Sequence, residues 1–352
     1  MAGGAIVAGA ALLALTGCSN LGYYWQSATG HLSLMAAARP VEDWLGDANA
    51  PQRLKTRLAL SRRIRSFAVS ELKLPDNPSY HRYADLHRPA AVWNVVVAPR
   101  YSLTLKTWCF PVTGCVTYRG YYDLAEARDE AAKHAAEGFE TSVYPVPAYS
   151  TLGLMNWAGG DPLLNTFIHY PEGELARLIF HELAHQIVYV KNDTMFNESF
   201  ATAVERLGSA RWLAAQASPQ AREEYAQYDG RRRQFRELAL ATRKRLEDVY
   251  ANVPEGEREQ SKQATLQDFR DRYATLRASW GGDPARWRGY DQWVAQANNA
   301  SFGAQAAYDE LVPGFETLFE REGRDWARFY DAVRKLAALP KDERHRLLQQ
   351  HH

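Results

Sequence analysis

GELARLIFHELAHQIVYVKNDTMFNESFATAVERLG, residues 173–208, is the stretch whose reading decides the fold. It holds His-Glu-Leu-Ala-His at 181–185 and a second acidic segment, Asn-Glu-Ser-Phe-Ala, at 197–201. Residues four apart share a helix face, so His181 and His185 can present two imidazole nitrogens to one metal ion. A catalytic zinc needs three protein ligands and an open position, so a third donor must come from elsewhere. Glu198 is that candidate. It follows His185 after twelve intervening residues, enough to end one helix, turn through Lys191-Asn192-Asp193 and begin an antiparallel second helix. Glu182 lies roughly 100° round the helix from His181, where its carboxylate can reach a water at the metal without ligating, the position of a general base. Glu205, seven residues beyond Glu198, shares its face and reads either as an outer-shell acceptor for a histidine or as a rival third ligand. The flanking Leu175, Leu178, Ile179, Phe180, Leu183, Ala184, Ile187, Val188 and Val190 predict a buried helix. Two histidines and a glutamate buried there are costly without a partner such as a metal. The competing reading is a core helix with two structural histidines.

His-Glu-Leu-Ala-His followed by Asn-Glu-Ser-Phe-Ala resembles the gluzincin metallopeptidases, whose second helix carries Asn-Glu-Gly-Phe-Ala in the aminopeptidases of that clan. The interval before Glu198 is several residues shorter than theirs. A wider resemblance covers nearly the whole chain. Gly-Cys-Ser-Asn-Leu-Gly-Tyr-Tyr-Trp-Gln-Ser at 17–27, Val-Trp-Asn-Val at 92–95, Trp-Cys-Phe-Pro-Val-Thr-Gly-Cys-Val-Thr-Tyr-Arg-Gly-Tyr at 108–121 and Ala-Tyr-Ser-Thr-Leu-Gly at 148–153 are similar to the bacterial putative aminopeptidase family of predicted lipoproteins. That resemblance implies a zinc peptidase with one Zn2+ per chain. The aminopeptidase label rests on it alone, because no motif identifies a carboxylate that would receive a substrate's free amine. In gluzincins a sheet edge beside the zinc helix pairs with the extended substrate, and Ala148, Tyr149, Ser150 and Thr151 stand in the sequence to do likewise, or to form an ordinary covered edge.

The N-terminus is similar to a lipoprotein leader. Residues 1–17 form an uncharged run too short for a convincing spanning helix, and Leu15-Thr16-Gly17-Cys18 is similar to a bacterial lipobox. The resemblance implies acylation of Cys18 and a periplasm-facing body anchored to a membrane. Ser19, in place of Asp, favours the outer membrane. No Lys or Arg precedes the apolar run, and a plain secretion signal is the alternative. Lipidation of Cys18 leaves Cys109 and Cys115 as an even pair in an oxidising compartment, and with Pro111 and Gly114 in the loop between them a disulfide is predicted.

The formal charge of +1 over 352 residues gives no support for nucleic-acid binding. A helical region runs from Leu21 to about Leu74, its arginines, including Arg57 and Arg65, reading as a solvated face. Short strands follow at 92–98, 101–103, 107–110 and 116–122, then a helix at 124–138. Thr141–Tyr149 reads as an edge strand, since its prolines lack the donor a central strand needs. After Gly208 the chain is helical, with a hairpin of two long helices split at Asn252–Gly256. The expected fold class is α+β, predominantly α-helical: a small antiparallel sheet next to a zinc-binding helix pair, then a long helical C-terminal region. The expected division is a leader at 1–17, a metallopeptidase core at 18–208 and a helical subdomain at 209–352.

The break at Asn298–Gly303 and the following Tyr308 form one candidate oxyanion-stabilising set, capping residues and a core tyrosine being the competing reading. Tyr118, Arg119, Tyr121 and Tyr122 form another, and spacing does not choose between them. His345, His351 and His352 read as tail residues without a specific role. The function these features predict is a zinc-dependent peptidase of the cell envelope with a peptide substrate. A non-catalytic lipid-anchored protein with a structural metal or peptide cradle is the alternative. No motif of paired carboxylates points to a glycan hydrolase.

Overall fold

The computed structural model describes residues 21–110, 114–148, 150–306 and 310–350. Cys18, the leader, Tyr149, Tyr308, His351 and His352 lie outside the described residues.

A first helix, α1, covers 21–37. The short strand β1 (Arg39–Pro40) and helix α2 (Val41–Gly46) lead to α3 (Gln52–Ser70). On α3, Leu54, Leu58, Ser61, Ile64, Phe67 and Ala68 follow three- and four-residue spacing and face the core. Arg65 departs from the solvated face expected of it. It is buried, and its guanidinium donates to the carbonyls of Ser79 at 3.1 Å, Pro75 at 2.5 Å and Asn77 at 3.1 Å, fixing the loop after the helix.

The strands β2 (Arg82–Ala84), β3 (Val92–Ala98), β4 (Trp108–Phe110), β5 (Gly114–Val116) and β6 (Arg119–Tyr121) come next, followed by α4 (Leu124–Ala136), β7 (Glu140–Val146) and β8 (Leu163–Leu164). They form three small sheets ordered β1-β2-β8, β6-β3-β7 and β4-β5. The β2–β8 pair is parallel and the others are antiparallel. Residues 101–103, expected as a strand, form a turn and a coil.

Strand β3 is buried on both faces, which explains why it is apolar at every position but Asn94. Trp93, Val95 and Val97 pack with Ala127 and Ala131 of α4, whereas Val96 and Ala98 pack with Ala300 on the opposite face. Strand β7 pairs with β3 alone and lies at the sheet edge, as its prolines require. Cys109 and Cys115 face each other across the β4–β5 hairpin with their sulfurs at bonding distance, 1.95 Å.

The helices α5 (Glu172–Ala184) and α6 (Thr194–Ala215) form the antiparallel pair expected from the opening stretch. The hairpin α7 (Pro219–Asn252) and α8 (Glu255–Ala278) turns within the expected Asn252–Gly256 segment, and α9 (Arg288–Ala295) and α10 (Asn299–Ala306) follow. Three helices end the chain: α11 (Val312–Arg321), α12 (Trp326–Ala337) and α13 (Lys341–Gln349). The hairpin has its own aromatic core around Phe235, Phe269 and Trp293. Helices α11 to α13 instead return to the α3–α5–α6 core, where Phe315 and Phe329 meet Phe200.

The polar break before α10 serves packing. Asn298 accepts from the Ser301 amide at 3.2 Å as a cap, and Asn299 accepts from the Tyr250 hydroxyl at 2.6 Å and donates to the carbonyls of Pro99 and Arg100. Both fasten α10 to its neighbours, and neither reaches the histidines.

Candidate metal centre

Helix α5 buries Leu175, Ala176, Ile179, Phe180, Leu183 and Ala184, which leaves His181 and Glu182 on the remaining face. Regular helix ends at Ala184, earlier than the apolar run suggested, so Ile187, Val188 and Val190 lie in the connection. His185 is the C-cap and keeps right-handed backbone angles, φ −58° and ψ −20°, so the one-turn relation to His181 survives. Asn192 turns the chain with φ 67°, and Asp193 caps α6 by accepting from the Phe196 amide at 3.2 Å. The two helices approach closely at Gly208, where a Cβ would stand 2.7 Å from Leu72 and 3.0 Å from Phe180.

This pairing brings His181, His185 and Glu198 together. Their Nε2 atoms are 3.2 Å apart, and the Glu198 Oε2 atom lies 3.3 Å from that of His181 and 3.6 Å from that of His185. A tetrahedral ion with ligand bonds of ~2.0–2.2 Å requires ligand atoms ~3.3–3.6 Å apart, the edge length of the tetrahedron. The three atoms stand close to the spacing of one face of such a tetrahedron, so this donor set could hold a metal ion.

Glu205 lies on the far side of His181. Its Oε2 meets His181 Nδ1 at 2.9 Å, on the side of the ring away from the cluster, and its Oε1 accepts from Arg177 Nε at 2.7 Å. Arg177 also reaches Glu174, which pairs with Arg232. His185 Nδ1, by contrast, is buried without a partner among the described residues.

Charge in the cluster is strongly coupled. Burial alone would lower the His181 pKa, but hydrogen bonds to Glu198 and Glu205 raise it to about 10. Burial would raise both carboxyls, yet the imidazoles hold Glu198 near 2, and Arg177 with His181 holds Glu205 near 2. Glu182 moves the other way. Burial pushes it above the ordinary carboxylate range, opposed by the imidazoles and reinforced by the two neighbouring glutamates. No hydrogen bond from a described residue reaches its carboxylate.

The sheet supplies a second wall. Of the cluster Tyr118, Arg119, Tyr121 and Tyr122, only Tyr118 lies beside Glu198 and Glu182, and burial and those charges keep its hydroxyl protonated. Arg119 is bound to Glu130 at 3.0 Å, Tyr121 packs on the α4 side of the sheet, and Tyr122 lies against Gly30. Tyr144, opposite Asn94 in the β3–β7 register, and Tyr189 are raised to about 12 by burial and by Glu198. The sequence reading passed over both, although Tyr144 shares with Asn94 the strand parity that marks this face.

The expected substrate edge is corrected. Among residues 148, 150 and 151 none is in a strand, and β7 ends at Val146. Ala148 is buried, Ser150 accepts from the Leu152 amide, and the Thr151 amide and hydroxyl are both spent on Asp161. Pro147 cannot continue the ladder and Asp161 captures the chain beyond it. Asp161 was also missed; burial, reinforced by Glu182 and opposed by its bonds to Thr151, raises its carboxyl to about 6. Next to it Tyr80 holds φ 67° with a buried hydroxyl that has no partner among the described residues. A bulky side chain in that conformation is strained, and such strain is concentrated at functional sites.

His345 is corrected as well. Its Nε2 contacts both carboxylate oxygens of Asp193 at 2.9 Å, so it belongs to a buried cluster and not to an idle tail.

Comparison with known proteins gives no matching curated protein and no matching solved structure. A family model described as "Putative aminopeptidase" matches residues 22–348, almost the whole chain. The chain belongs to that putative aminopeptidase family.

Proposed function

We propose that this protein is a zinc-dependent peptidase, an aminopeptidase in keeping with its family, and that His181, His185 and Glu198 hold the ion. The observation that carries the reading is the mutual spacing of their ligand atoms, 3.2, 3.3 and 3.6 Å. A divalent ion held there supplies Lewis acidity, polarising a scissile carbonyl and making a nearby water more acidic. Glu205 fixes the tautomer and direction of His181. Glu182, with its raised affinity for protons, takes one from the attacking water and returns it to the departing amine. Tyr118 stands on the sheet side of the same centre with a protonated hydroxyl, suited to donate a hydrogen bond to the developing oxyanion. The edge of β7, which among the described residues pairs on one side only, would offer an extended peptide backbone a ladder beyond Thr141, whose carbonyl Asn298 already holds.

The envelope setting is part of the same proposal. Acylation of Cys18 would tether the protein at the periplasmic face of a membrane, the outer membrane on the evidence of Ser19, with α1 following directly. No helix among the described residues is long and apolar enough to cross a membrane. A mixed-peptide digest read by mass spectrometry tests the activity and its end preference. The wild type trims peptides, and Glu182→Gln loses about 10²–10⁴ of the rate while keeping its metal. Equal cleavage by the variant removes Glu182 from its role, and no cleavage by metal-loaded wild type favours a non-catalytic protein.

A further inference from the structure

We propose that the C-terminal helix α13 is a clasp on the ligand-bearing helix, with Arg344 and His345 acting as positioning residues for Glu198 through Asp193. The inference rests on the reading of Glu198 as a metal ligand, and it adds a part of the chain distant in sequence.

Asp193 is the hub. Its side chain is fully buried and meets three groups: the Phe196 amide it caps at 3.2 Å, Arg344 Nε at 2.7 Å and His345 Nε2 at 2.9 Å. Arg344 is also buried and spends a second nitrogen on the Leu339 carbonyl at 2.6 Å, beyond the end of α12. Its guanidinium lies 5.5 Å from the centre of the Phe196 ring, inside the first turn of α6. The helix that delivers these groups is seated tightly, because Gly314 of α11 lies so close that a Cβ would approach the Leu348 carbonyl to 2.1 Å. Arg344 thus bridges the end of one helix and the start of another.

Glu198 is five residues beyond Asp193, about 7.5 Å along the helix axis at 1.5 Å per residue. Nothing flexible intervenes. Neighbouring Asn197 exchanges two hydrogen bonds of 2.8 Å with the backbone of Val190, so the connection and the first turn of α6 move together. A buried carboxylate that loses its charged partner carries an uncompensated desolvation cost. Without Arg344 the first turn must open to hydrate Asp193, and Glu198 is displaced from the histidines. A structural contact elsewhere in the core would lower stability without that displacement.

The test compares Arg344→Met with Val333→Ala, which opens a cavity in α12 at a fully buried site outside the hydrogen-bond set of Asp193. Purified proteins are titrated with Co2+, whose visible absorption reports ligand geometry. Arg344→Met is expected to bind about tenfold or more weakly with an altered spectrum, and Arg344→Lys to recover part of the loss. Val333→Ala should melt earlier yet keep the wild-type Co2+ affinity and spectrum. Hydrogen exchange at 194–198 in the metal-free proteins should quicken in Arg344→Met and not in Val333→Ala. Wild-type Co2+ affinity in Arg344→Met, or unchanged exchange there, overturns the clasp. Should Arg344→Met fail to fold, His345→Leu carries both readouts with a smaller expected loss. Wild-type protein that binds no Co2+ sinks the metal reading separately, and the exchange measurement still decides the clasp.

Discussion

His181 is held at both ring nitrogens, by Glu205 on one side and by Glu198 and His185 on the other, so its charge is tied to its neighbours. With no metal its proton is retained up to about 10, a value set by Glu198 and Glu205 against the effect of burial. The favourable pairing is complete below the ordinary histidine value of about 6.5 and is lost as pH rises through the raised value. A metal must displace that proton, so zinc affinity should climb about tenfold per pH unit between pH 6 and 8, one proton being released per ion. Glu205→Gln weakens the hold on the proton, so the slope should flatten while affinity at pH 8 falls about tenfold or more. Zinc titration at three pH values checks both, and a pH-independent affinity in the wild type contradicts them. At this scale the sequence was most informative. His181, Glu182 and His185 are tied by helix spacing, a local rule, and Glu198 by the length of one connection. Arg177, one helical turn before His181, and Tyr189 lie within the opening stretch but carry no motif that marks them, whereas Tyr144 and Asp161 reach the site through pairings set elsewhere in the chain.

Elements join the site through buried charge as well as apolar packing. Lys262 of α8 is almost wholly buried and donates to the Arg100 carbonyl at 2.9 Å and to Glu140 at the start of β7. Glu140 also accepts from the Asn299 amide at 2.7 Å, so one carboxylate fastens β7, α8 and α10. Glu140→Ala leaves a buried ammonium unpaired and should cost about 3 kcal/mol in urea unfolding, as breaking such pairs does. A change under about 0.5 kcal/mol, the range of ordinary surface substitutions, would show that Lys262 finds another partner. The helices were readable because their apolar periods are long. The short strands were less so: Tyr101-Ser102-Leu103 has strand-like residues but no partner, and Pro147 ends β7 before the stretch expected to meet substrate. Strand existence depends on a neighbour's register, and that information is spread over distant segments.

At the scale of the molecule, helices α5 and α6 complete their core only with α11 to α13. Phe196 and Phe200 of α6 are fully buried, and Phe315 of α11 lies 5.1 and 5.7 Å from them, centre to centre. A chain ended after Gly208 uncovers both rings and should show no cooperative thermal transition by circular dichroism; a sharp transition would mean the first part folds alone. Composition and periodicity gave the predominantly helical α+β class, but the return of α11 to α13 to α6 leaves no local mark, and His345 therefore looked idle in the sequence. The central claim concerns one ion. Its most direct measurement is the zinc content of purified protein after loading and desalting. About one zinc per chain is expected, retained in Glu182→Gln and lost in His181→Ala, His185→Ala and Glu198→Ala. Folded wild type that takes up no zinc, or an Ala variant that keeps its full share, would contradict the account.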